Sequence, residues 1–92
     1  MSMKGFLAAA RAGVVTVEFR KVKTGEFRRM PCTLNNKLSE GHVPEILSLD
    51  FDDDAEHFAV WAVDVKGWRS FRLDTVERWY VGYPEIAEDV AD

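Results

Sequence analysis

The segment Gly67-Trp68-Arg69-Ser70-Phe71-Arg72-Leu73-Asp74, with Trp79-Tyr80 shortly after it, gathers the side chains best suited to recognition chemistry. A guanidinium pairs with phosphate or carboxylate through a planar fork, and an exposed indole or phenol stacks on a flat ring. If Trp68 to Leu73 is a strand, alternation sends Trp68, Ser70 and Arg72 to one face and Arg69, Phe71 and Leu73 to the other. Arg78 follows, with Tyr80 beside it as a stacking platform. Earlier in the chain Arg20, Arg28 and Arg29 flank an expected hairpin. The candidate nucleic-acid-binding residues are therefore Arg20, Arg28, Arg29, Trp68, Arg69, Arg72, Arg78 and Tyr80. A structural role competes with this reading: Trp68 would cap a barrel, and Arg72 would pair with Asp64 or Asp74, since surface ion pairs are common.

Bond-breaking chemistry finds little support. Cys32 sits between Pro31 and Thr33 with no histidine near it in sequence, which reads as a buried, inert thiol. His42 and His57 flank an acidic stretch, yet Asp52-Asp53-Asp54 lacks the spacing of a calcium loop. No nucleophile, base and acid sequence pattern, phosphate loop or glycine-rich dinucleotide motif is visible. The expectation is a protein that is not an enzyme and uses neither cofactor nor metal.

At 92 residues the chain has room for one core, and with 47% hydrophobic and 30% charged residues it has the composition of a soluble domain. No apolar run reaches the length of a membrane span, and the apolar stretch within Met1 to Ala12 is too short for a secretion signal, so a cytoplasmic location is expected. One cysteine rules out an internal disulfide. The net charge of -4 conceals segregation. Residues 1–37 carry eight Lys or Arg against Glu18 and Glu26, whereas residues 38–56 carry seven acids and no Lys or Arg. Any nucleic-acid surface must therefore be local.

The elements that would position these groups follow from periodicity. Residues 1–12 read as a short helix ending at Gly13. Residues 13–34 form a first hairpin: Val14 to Val22 alternates, Lys23 to Glu26 turns, and Phe27 to Leu34 returns with Met30, Cys32 and Leu34 inward. Pro31 marks that return strand as an edge or a bulge. Residues 35–56 lose periodicity and read as a long acidic loop with a helical turn near Glu45 to Ser48. Three strands fill 57–82: Phe58 to Asp64, Trp68 to Leu73 and Glu77 to Gly82, with a 3₁₀ turn at Asp74 to Val76. An acidic tail, 85–92, is expected to fray. The inward set is Val15, Val17, Phe19, Met30, Cys32, Val60, Phe71, Leu73 and Val76, with Phe58 and Trp61 also in the core. A helix followed by five short strands is the order of a mainly β, five-stranded SH3-like or Sm-like barrel, whose closure removes exposed sheet edges.

Val14 to Phe19, Met30-Pro31-Cys32-Thr33-Leu34 and Gly67 to Asp74 together resemble a phage-borne family of small Sm-like SH3 barrels related to the WYL domain. The likeness spans roughly Gly13 to Gly82. It implies the barrel, a phage or prophage origin and a non-enzymatic role. Trp79-Tyr80-Val81 is close to the family's tripeptide in chemistry only, and no ligand-binding role is carried onto it.

Two functions are open at this level. One is an accessory protein binding single-stranded DNA or RNA through a basic aromatic face. The other is an interaction module for a host or phage protein, docking through the acidic segment 38–56 or the tail. The competing reading of that segment has Ile46, Leu47, Leu49 and Phe51 packed over a barrel opening while the acids stay in water.

Overall fold

The computed structural model describes residues 3–43 and 57–84. Helix α1, Phe6–Ala12, precedes five strands: β1 Val14–Arg20, β2 Phe27–Thr33, β3 His57–Ala62, β4 Gly67–Arg72 and β5 Val76–Val81. A 3₁₀ turn, Leu73–Thr75, joins the last two. All pairings are antiparallel, in the order β4-β3-β2-β1-β5. The mainly β architecture with an N-terminal helix is the one expected, with strand ends displaced by one or two residues. β1 stops at Arg20 because Lys21 already belongs to the turn, where its N–H donates to the Glu26 carbonyl and its own carbonyl accepts from Gly25. Gly25, at φ 74, supplies the left-handed residue that closes the turn.

The sheet wraps around an aromatic core. In a flat sheet β1 and β4 would lie roughly 14 Å apart, three strand spacings, yet Phe19 of β1 stacks on Phe71 of β4 with ring centroids 5.5 Å apart. Phe6 of α1 fills the middle, against Phe58, Phe71 and Trp79 at 6.0, 5.9 and 5.4 Å. Every residue of the expected inward set is buried except Leu73, which packs against the core while partly exposed. The helix is tied to β2 at its C-terminal end: the Ala10 carbonyl accepts from the Leu34 N–H at 2.9 Å, and the Thr33 hydroxyl lies 2.7 Å from the Gly13 carbonyl.

Two expectations change. β2 is an internal strand, not an edge, and Pro31 lies in it opposite Thr16. The Pro31 carbonyl accepts from Val63, so its missing N–H faces β3, where that short ladder ends, and the β1 side loses nothing. The first part of the long loop is built: in residues 35–43 the Asn35 side chain accepts from Leu38 N–H, the Ser39 hydroxyl accepts from Val43 N–H, and Val43 enters the core. Trp61 is buried with the core residues, as expected, and His42 stacks flat on it at 4.3 Å and 9°. The expected helical turn at Glu45 to Ser48, the docking or cover role of the acidic segment, and the tail fall outside the described residues.

Candidate nucleic-acid interface

The eight candidate residues do not share one face. Glu18 organises the first group. It sits in the middle of β1 on the outer surface of the β2-β1-β5 sheet, opposite Arg29 on one side and Arg78 on the other. Although charged, it is only 4% exposed. Arg78 donates to it at 2.7 Å, Arg29 at 3.1 Å and the Tyr80 hydroxyl at 2.9 Å. These donors, Arg78 foremost, hold the Glu18 carboxyl below its usual range against the opposing effect of burial. Tyr80 moves the other way: burial first, then its bond to Glu18, raises its phenol. Three candidate ligand-binding residues are thus partners of one internal carboxylate.

Four others are dispersed. Arg28 points to the opposite side from Arg29 and pairs with Asp64 at 2.6 Å. Arg69 shares the inward parity of Phe71 but folds back along its own strand, donating to the Trp68 carbonyl at 2.8 Å. A Cβ at Gly67 would lie 3.2 Å from that guanidinium, which would have to shift by a few tenths of an ångström to admit it. Trp68 stands on the outer face of β4, 42% exposed and edge-on to Trp61 at 5.9 Å. Arg72 donates twice to Asp74, both at 3.1 Å, which lowers the Asp74 carboxyl. Of the two carboxylates expected for Arg72, the structure selects Asp74.

Arg20 and Arg72 do converge, across a cleft at one end of the barrel. The β1–β2 turn there approaches the start of β3 and the end of β4, leaving about 660 Å³. Its apolar floor is Phe19 and Phe71, and its rim carries Arg20, Lys21, Val22, Lys23 and Thr24 on one side and His57, Ser70 and Arg72 on the other. Arg20 is paired with Glu77 at 3.0 Å and Arg72 with Asp74. Lys21 and Lys23 form no ion pair with any described carboxylate. Neither lysine is among the expected ligands, since Lys21 falls at the end of the strand expected over Val14 to Val22 and Lys23 in the turn; their separation by one residue within an otherwise basic hairpin is the available signal.

The Cys32 thiol does not line the cleft. Cys32 is buried far inside the sheet, and burial, with a smaller effect from Asp64, pushes its thiol up to about 12. Among the described residues no three His, Cys, Asp or Glu side chains cluster to hold a metal, and no helix is long and apolar enough to cross a membrane.

The family model WYL_2, described as an Sm-like SH3 β-barrel fold, matches residues 6–76. The chain belongs to this family. In this WYL_2 domain every cleft residue, from Phe19 to Thr24 and from His57 to Arg72, lies inside the matched span. Arg78 and Tyr80, two of the three donors to Glu18, lie beyond it. No curated protein and no solved structure gave a significant match.

Proposed function

We propose that this WYL_2 domain is a non-enzymatic module that binds single-stranded nucleic acid in the cleft at the end of its barrel. The observation that carries the reading is the pair Lys21 and Lys23, set without described carboxylate partners on the rim of a cleft whose floor is Phe19 and Phe71. A lysine that neutralises a phosphate releases a cation condensed on the nucleic acid, and one with no internal partner does so without first leaving a carboxylate. Apolar side chains between the cations give bases a surface that water does not occupy favourably. The surface is smaller than the eight-residue face expected from sequence, because Glu18 and Asp64 already engage Arg29, Arg78 and Arg28, whereas the Arg72–Asp74 pair is exposed and weakly held. The reading includes a phage-encoded accessory role in the cytoplasm of an infected cell, which the resemblance to the phage-borne family implies.

Titration of labelled single-stranded DNA and RNA at low and high salt tests it. Weak, salt-sensitive binding is expected, since the net charge of -4 opposes approach. Replacing Lys21 and Lys23 together by Ala should weaken binding and flatten the salt slope by about 1.4, two single-strand phosphate contacts. Absence of binding at low salt would leave a protein-interaction module. A second observation favours that alternative: Leu38, Val65 and Trp68 are exposed near the β3–β4 turn, where Lys66 reaches Glu40 at 3.6 Å.

A further inference from the structure

The outer face of β3 and β4 continues from the cleft as a short track. Cross-strand pairing sets its composition: His57 faces Arg72, Ala59 faces Ser70, and Trp61 faces Trp68. Two rim residues of the cleft, His57 and Arg72, are followed by two small exposed residues and then by an indole cluster. Ala59 and Ser70 leave a saddle between taller neighbours, because neither side chain rises above the strands. At the far end, His42 and Trp61 stack and Trp61 meets Trp68 edge-on, so Trp68 is braced with part of its ring open to solvent. From Arg72 to Trp68 is four residues of extended strand, about 13 Å. At the roughly 3.4 Å per nucleotide along each strand of a duplex, that distance corresponds to about four nucleotides, the lower end of site sizes for small β-barrel binders.

We infer that the ligand of the cleft is a nucleic-acid single strand of at least about four nucleotides, held by phosphate contacts at Lys21, Lys23 and Arg72 and by a base stacked on Trp68, with its backbone crossing the Ala59–Ser70 saddle. The inference rests on the cleft reading and adds to it a minimum length and a second anchor. Charge complementarity at one end and an open, braced ring at the other suit a chain that alternates anions with planar rings. A mononucleotide reaches one end only.

The test is a length series of oligothymidylates, from dinucleotide to octamer, titrated at low salt against the full chain. Affinity should rise steeply once the oligomer spans the track, with quenching of tryptophan emission appearing at the same length. Trp68→Ala should lower octamer affinity about ten- to a hundredfold and leave dinucleotide affinity unchanged, while Trp68→Phe restores most of the loss. Ala59→Glu, at an exposed position outside the cleft, should weaken the octamer and spare the dinucleotide. Lys21→Ala with Lys23→Ala should weaken both. If Trp68→Ala and Ala59→Glu leave the octamer and its length dependence intact while the lysine pair still matters, the track is wrong and the cleft stands. If no oligomer binds at low salt, the cleft reading fails and the track falls with it.

Discussion

The outer surface of β2-β1-β5 and the cleft with its neighbouring β3–β4 face use the same residue types to opposite ends. In the first, Arg29, Arg78 and Tyr80 converge on the carboxylate of Glu18, and Phe27 lies under the guanidiniums of Arg20 and Arg29 at 5.5 and 5.4 Å. Donors, acceptor and aromatic ring satisfy one another, so the surface offers an incoming anion little that is not already engaged. In the second, Lys21 and Lys23 pair with no described carboxylate, and Trp68, although edge-on to Trp61, keeps much of its ring open to solvent. Whether arginines and aromatics form a binding surface or a structural clamp thus depends on one residue, the acid or the small side chain that the strand register places between them.

The two regions share Phe71, which floors the cleft and stacks on Phe19. Removing it should produce the largest effect of any change discussed. Phe71→Ala should cost about 3–5 kcal/mol, a large share of the stability of a domain this size. A thermal or denaturant melt that shifts by less than a third of this would mean that the core collapses around the gap.

Glu18→Gln separates the regions more sharply. Two guanidiniums would lose their carboxylate, at a cost of about 1–3 kcal/mol, discounted toward the lower figure because Arg78 is well exposed. The same change should turn the closed surface into a weak anion site, so nucleic-acid affinity should rise while stability falls. The pH dependence has a definite sign. Glu18 titrates below its usual range in the folded state, so its contribution is complete above the unfolded carboxylate range and is lost as pH falls through the lowered folded value. Acid unfolding of the native chain should therefore show a component that Glu18→Gln lacks; superimposable acid limbs for the two proteins would contradict the assigned role of Glu18.

Arg72→Ala tests the open region from the other direction. Its pair with Asp74 is exposed and should contribute almost nothing to the melting temperature. Binding should nonetheless weaken in the cleft. A marked loss of stability with unchanged binding would assign Arg72 to the frame.

Much of the frame was legible in the chain. Alternation in Val14 to Arg20 marked β1 and its inward residues, and Gly13 marked the end of the helix. The site was harder to read because local pattern gives a residue's face but not its cross-strand neighbour. Glu18 looked like one polar position among several; its role depends on a register that brings Arg78 from sixty residues away. The stacking of His42 on Trp61 is likewise set by where the loop folds back, which no period encodes. The Asn35-Asn36 pair did carry a local signal for the turns of 35–43, since such side chains cap backbone N–H groups two or three residues on.

The smallest expected effect concerns the acids that precede β3. Asp52, Asp53 and Asp54 stand three to five residues before His57, and His57 lies on the cleft rim. An extended chain advances at most about 3.6 Å per residue, so the nearest of them is tethered within about 11 Å of His57. That is close to one Debye length, about 8–10 Å at moderate ionic strength, so their repulsion of a phosphate chain is attenuated but not abolished. Replacing all three by Asn should raise single-strand affinity by a few-fold at low salt, and the gain should vanish as salt is raised, because screening removes what the substitution removes. The native chain and the triple variant should then converge on the same affinity at high salt. A gain that persists at high salt would mean that the aspartates obstruct the cleft by contact instead of by charge. A loss of affinity would place them on the ligand's side of the site, and the contrast between a closed acidic clamp at Glu18 and an open cleft would have to be redrawn.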